Sequence, residues 1–77
     1  MTAVTVVNAL AEGRAWFATR PQFYASHEAD LWHCRGFVCR WERNRWVAWK
    51  HEGPARPALT PAAALAAVGY IDPKETP

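Results

Sequence analysis

Four of the chain's five tryptophans, Trp32, Trp41, Trp46 and Trp49, fall within eighteen residues, interleaved with Arg35, Arg40, Arg43, Arg45 and Lys50. Rings this large and this dense either fill a small core or face a partner. The stretch is therefore both the structural centre of the chain and its candidate contact surface. Seventy-seven residues lie near the lower limit for a domain that folds without disulfides or a metal. Each buried aromatic removes roughly 150–250 Å² from water, worth about 4–6 kcal/mol of gross transfer energy. A few such rings suit a core this small.

Half the residues are apolar and 21% are charged, which fits one globular domain over residues 1–77 and argues against disorder. Asp72 to Pro77 reads as a frayed tail. The formal charge is +2, but residues 31–51 carry +4 and the remainder −2. This suggests a local basic patch and no general affinity for polyanions. Cys34 and Cys39 are too few for a disulfide framework. In one extended strand they would point to opposite faces, and a bridge would need a tight turn at Gly36. The start of the chain lacks a basic, apolar leader, and no run approaches the roughly 20 apolar residues that span a bilayer. A cytoplasmic setting without membrane contact is expected.

Thr2 to Val7 is β-branched and reads as a short strand or as the lead-in to a helix. Asn8 is a good N-cap for a first helix through Ala9-Leu10-Ala11-Glu12, with Val7, Leu10, the stem of Arg14, and Phe17 on one face. Pro21 stops this helix near Thr19. Phe23 to Ser26 is a candidate short strand, and His27 to Asp30 a polar turn. Leu31 to Trp41 reads as one strand with a bend at Gly36, and Arg45 to His51 as its return. Gly53 to Pro57 is a stiff loop. Thr60-Pro61 is an N-cap followed by proline at the first helical position, and Gly69 is the expected left-handed stop. Leu65 and Val68, with Ile71 as a third candidate, dock this second helix. The fold class is α+β: a small antiparallel sheet of two to three strands, with an N-terminal and a C-terminal helix packed on one face.

A three-residue loop at Glu42-Arg43-Asn44, with Asn44 left-handed, sets the expected register. It places Phe37, Cys39, Trp41, Val47 and Trp49 on the core face. Val38, Arg40, Trp46, Ala48 and Lys50 then face water, with Trp32 and Cys34 beyond the glycine. A two-residue loop would instead pair Trp41 with Trp46 and mix Lys50 with Phe37, a less uniform sorting.

The expected partner-binding set is therefore Trp32, Arg40, Arg43, Arg45, Trp46 and Lys50. Rings among cations suit protein interfaces, and they also suit single-stranded nucleic acid through stacking and phosphate neutralisation. The same residues can form a cross-strand cluster that binds nothing. His27, His33, Cys34, Cys39 and His51 lack the paired spacing of structural zinc, so no metal is expected. No thiol–imidazole pair with an orienting third group is evident, and no phosphate-cradling glycine loop. Neither enzymatic activity nor a cofactor is expected.

The order helix–strand–strand–strand–helix resembles the double-stranded RNA-binding domain. That family grips phosphates with lysines at the start of its last helix, where this chain reads Thr60-Pro61-Ala62-Ala63-Ala64. The resemblance is one of topology alone. In size and plan the whole chain is similar to small inhibitors encoded by phages and mobile elements, anti-CRISPR proteins included. This implies a non-enzymatic module that occludes a site on an unidentified host protein. The alternative is a nucleic-acid-binding or transcription-regulatory domain using the basic, Trp-bearing hairpin face.

Overall fold

The computed structural model describes residues 6–26 and 30–73. Helix α1 spans Val6–Ala18, followed by strands β1 (Tyr24–Ala25), β2 (Leu31–Cys34), β3 (Phe37–Glu42), β4 (Arg45–Lys50) and β5 (Arg56–Ala58), then helix α2 (Pro61–Ala67). The class is α+β as expected, but the sheet has five strands where two or three were anticipated. They pair antiparallel in chain order, β1-β2-β3-β4-β5. Both helices pack on one face. Expectations for residues 2–5, for the turn at 27–29 and for the tail at 74–77 fall outside the described residues.

Two local features account for the extra strands. The segment Leu31–Trp41, expected as one strand, is broken by a two-residue turn in which Arg35 (φ 47°) and Gly36 (φ 87°) are both left-handed. Two successive positive φ angles define a type I′ turn, whose twist matches that of the strands it joins. The glycine is thus the second corner of a hairpin and not a bend. The expected loop at Gly53–Pro57 contributes β5, an edge strand. An edge is where proline is tolerated, because a missing N–H costs no interior ladder bond.

The register of the β3–β4 hairpin corrects the sequence reading. Trp41 pairs with Trp46, Cys39 with Ala48 and Phe37 with Lys50, so the loop has two residues. Arg43 (φ 51°) and Asn44 (φ 65°) form a second type I′ turn. Because side chains alternate along a strand, this one-residue slip moves every residue of β4 to the opposite face from that expected. Trp46, Ala48 and Lys50 now share the helix-covered face with Phe37, Cys39 and Trp41. Arg45, Val47 and Trp49 lie on the other.

The slip has a packing reason. Trp46 is the largest fully buried side chain, surrounded by Phe17, Trp32, Trp41, Cys39 and Leu65. Its ring centroid lies 5.6, 5.7 and 5.3 Å from those of Phe17, Trp32 and Trp41. Phe17 and Trp32 stack at 4.4 Å with planes 3° apart. Small Ala48 and Ala64, both fully buried, let the helices approach the sheet. The buried stripe of α1 runs through Ala9, Gly13 and Phe17 and continues to Arg20 just past its end, with Leu10 and Trp16 half-buried beside it. Arg14, expected to lay its stem on the core, is exposed. Its guanidinium instead grips Asp30 in a fork, Nε–Oδ1 2.7 Å and Nη2–Oδ2 2.9 Å. This bidentate partner raises the Arg14 pKa further through the hydrogen bond and then the charge. Asn8 lies within α1 and not before it.

Helix α2 follows its local signals. Thr60 is extended, its Oγ1 accepts the Ala63 N–H at 3.1 Å, Pro61 opens the helix, and Gly69 (φ 96°) closes it. Leu65 is fully buried and Val68 half-buried, whereas Ile71 is exposed. Asp72, read as the start of a frayed tail, is buried. Its Oδ2 accepts from Arg20 Nε at 2.9 Å, which ties the segment after α2 to the end of α1.

Candidate binding surface

The sheet's second face carries no described helix. Register places three rows of side chains on it. Tyr24, His33, Val38 and Trp49 form one row across β1 to β4. Leu31, Arg40, Val47 and Pro57 form the next across β2 to β5, and Glu42 and Arg45 end it beside the turn. At about 4.8 Å between strands, each four-residue row spans roughly 14 Å. Apolar side chains surround Arg40: Val38, Trp49 and Leu31 are half-buried, and Val47 is buried. Tyr24 is 68% exposed, with its ring 5.6 Å from that of His33 and nearly parallel to it. A sheet face that mixes rings and aliphatic side chains with arginines, Arg40 at its middle and Trp49 at the end of one row, has the composition of a protein interface.

The expected contact residues are divided by the fold. Arg40, Arg43 and Arg45 are exposed at the turn end of the hairpin, Arg40 and Arg45 on the uncovered face and Arg43 at the tip. Trp46 and Trp32 are not surface anchors. Both belong to the covered face, because β4 is slipped by one residue and β2 is folded back at Arg35-Gly36. Lys50 also moves to the covered face, where its Nζ sits 5.3 Å from the centre of the Phe37 ring. The ring that faces outward is Trp49, assigned to the core by the sequence reading. Val47 was likewise assigned to the core, Tyr24 and Leu31 were given no part in the surface, and Val38 lies on the water-facing side as expected. A two-residue Arg-Asn turn was the signal that would have found Trp49 and Val47.

Charge is unevenly balanced. Arg40 lies 3.5 Å from Glu42, an exposed pair of little energetic weight. Among the described residues Arg43 and Arg45 have no carboxylate within salt-bridge distance. Glu42 is the one acid in the three rows, so the turn end of the face is net cationic.

The other candidate chemistry is dispersed. Cys34 and Cys39 both lie on the covered face, diagonal to one another across the β2–β3 hairpin, and both are buried free thiols. The turn at Gly36 that a bridge would require exists, yet diagonal neighbours sit too far apart to be joined. Burial pushes the Cys39 thiol from 9.0 up to about 12, a weak hydrogen bond involving the Arg40 backbone opposing this slightly. His33 and His51 are both exposed. Among the described residues no three His, Cys, Asp or Glu side chains gather into a metal-sized group. No helix among them is long and apolar enough to cross a membrane.

No family model matches the chain, and neither a curated protein nor a solved structure matches it.

Proposed function

We propose that the protein is a non-enzymatic binding module that docks on a partner protein through the uncovered sheet face, with Trp49 as its anchor. One observation carries the reading. A row of side chains from Tyr24 to Trp49, with Tyr24 and His33 exposed and Val38 and Trp49 half-buried, lies beside Arg40 and Arg45 with no described helix on it. The edges are less suited to docking. β1 has two residues and β5 contains Pro57, so neither offers a long ladder for strand addition. The partner surface that fits is an apolar patch bordered by carboxylates facing Arg43 and Arg45. Occlusion of a site on a host protein, as small phage-encoded inhibitors achieve it, is the mode of action this size and shape suit.

The test compares Trp49→Ala with Trp46→Ala. Nuclease-treated lysate is passed over immobilised wild-type and variant protein, and circular dichroism follows the fold. Trp49→Ala should keep native stability within about 1 kcal/mol and lose the captured protein. Trp46→Ala should lose about 3–5 kcal/mol of stability through the cavity it leaves. Undiminished capture by Trp49→Ala and by Arg45→Glu would refute the reading.

The cations at the turn, Arg43 and Arg45 without carboxylates, favour nucleic acid as a second reading. Affinity for a single-stranded oligonucleotide should then fall steeply with salt, and Arg45→Gln should flatten that slope. Absence of binding at about 50 mM salt removes this reading, since phosphate contacts are strongest there.

A further inference from the structure

We infer that the groove between the β4–β5 connection and the end of α2 binds a small organic anion, a carboxylate or phosphate head on an apolar body. Lys50 and Arg56 carry the inference. By register both lie on the sheet face that holds Trp46 and Ala48, the face that the helices cover. A covered face normally excludes charge. Here α2 stops at Ala67, so the end of that face opens into a groove of about 560 Å³. This volume falls within the usual range for small-molecule sites. Ala67, Val68 and Pro54 supply an apolar wall, and Lys50, Arg56 and His51 line the same space.

Neither cation is neutralised by an acid, although the Lys50 ammonium also lies 5.3 Å from the centre of the Phe37 ring. No carboxylate lies within salt-bridge distance of Lys50 or Arg56 among the described residues. Nor do they serve the negative end of α2. The Leu65 carbonyl accepts from Val68 and Tyr70 at 3.1 and 3.0 Å, and the Ala66 carbonyl accepts from Gly69 at 3.1 Å. The rim is preformed, since the His51 N–H donates to the Gly36 carbonyl at 2.9 Å and the Gly53 N–H to the Lys50 carbonyl at 2.6 Å. Two cations without carboxylate partners in a half-apolar groove match an anion with an apolar body better than they match bare phosphate.

The test is a titration of isotope-labelled full-length protein, read from backbone amide shifts, with phenylphosphate, benzoate, inorganic phosphate and benzyl alcohol as probes. Saturable shifts should concentrate on residues 50–56 and on Ala67 and Val68. Phenylphosphate and benzoate should bind more tightly than inorganic phosphate, and benzyl alcohol should not bind. The stronger of the first two identifies the head group. Lys50→Gln and Arg56→Gln should each weaken binding about tenfold, the effect of losing one charge-assisted hydrogen bond. Arg43→Gln, at the opposite end of the sheet, should leave it unchanged. Equal shifts at Arg43 and Arg45, or unchanged affinity in the Lys50→Gln/Arg56→Gln double variant, would overturn the assignment.

Discussion

The indole nitrogen of Trp46 donates a hydrogen bond to the carbonyl oxygen of Ala9, 3.0 Å away and 37 residues earlier in the chain. This contact seats α1 on the sheet, and it depends on a missing side chain. A Cβ at Gly13 would fall inside the indole, against Cζ2, Cε2 and Nε1 of Trp46. In an exposed helix, Gly→Ala gains about 1 kcal/mol of propensity. Here overpacking at about 1–3 kcal/mol should outweigh it. Gly13→Ala should therefore lower the chemical denaturation midpoint, and Trp46→Phe should cost less in that background than in the wild type. A raised midpoint for Gly13→Ala would show that the helix does not lie on this ring.

The pair of Arg20 and Asp72 should behave as a buried ion pair. Both side chains are nearly inaccessible, and the Arg20 guanidinium also lies 3.9 Å from the centre of the Trp16 ring. Removing one partner leaves a charge without its counterpart in a poorly solvated place, which costs about 3–5 kcal/mol. Arg20→Met and Asp72→Ala should each bring so small a domain close to unfolding at room temperature. The double variant should be clearly more stable than the sum of the two losses. Simple additivity in a double-mutant cycle would contradict the coupling.

The type I′ turn at Arg43-Asn44 holds two non-glycine residues at positive φ. Asn-Gly is the pair that this turn favours most, so Arg43→Asn with Asn44→Gly should stabilise the domain by about 1 kcal/mol without altering register. Thermal unfolding measures the gain. A loss of stability would imply that the three-residue loop is the native one.

Cys39 gives the fold a pH dependence of known sign. Its thiol is raised by burial from 9.0 to about 12, so between those values the unfolded chain has released a proton that the folded one keeps. Stability is therefore complete below about pH 9 and falls as pH rises toward 12, by at most about 1.4 kcal/mol per unit. The difference in unfolding free energy between wild type and Cys39→Ala, followed from pH 8 to 10.5, should shrink across the range. A constant difference would mean that the thiol is not shielded in the native state.

Much of the local structure is legible in the sequence. Thr60-Pro61 and Gly69 bracket α2 because capping and proline chemistry act over three or four residues. Pro21 ends α1 for the same reason. The register was not legible, because sorting apolar from polar residues is a poor guide to the central strand of a wider sheet. On β4, Trp46 and Ala48 look no more apolar than Val47 and Trp49. Val47 is buried even though it lies on the uncovered face. The choice rested on whether Arg43 would accept a left-handed conformation, which is uncommon outside glycine and asparagine. The same preference hid the turn at Arg35-Gly36. The Arg20–Asp72 pair joins distant segments and leaves no local trace, so Asp72 read as tail. Of the candidate contact residues, the arginines at the turn are exposed as expected, because a tip faces water in either register. The rings were misassigned because a one-residue slip exchanges Trp46 for Trp49.

The strict neighbour order of the five strands has a kinetic consequence. Every ladder in the sheet closes between segments that follow one another in the chain, and its two tightest connections are the two-residue turns. The loop-closure entropy of each step is small, so the meander should assemble on the fast side for a chain containing a β-sheet. Docking of α1, with the indole of Trp46 closing over Gly13, and the Arg20–Asp72 contact are the longer-range steps that remain.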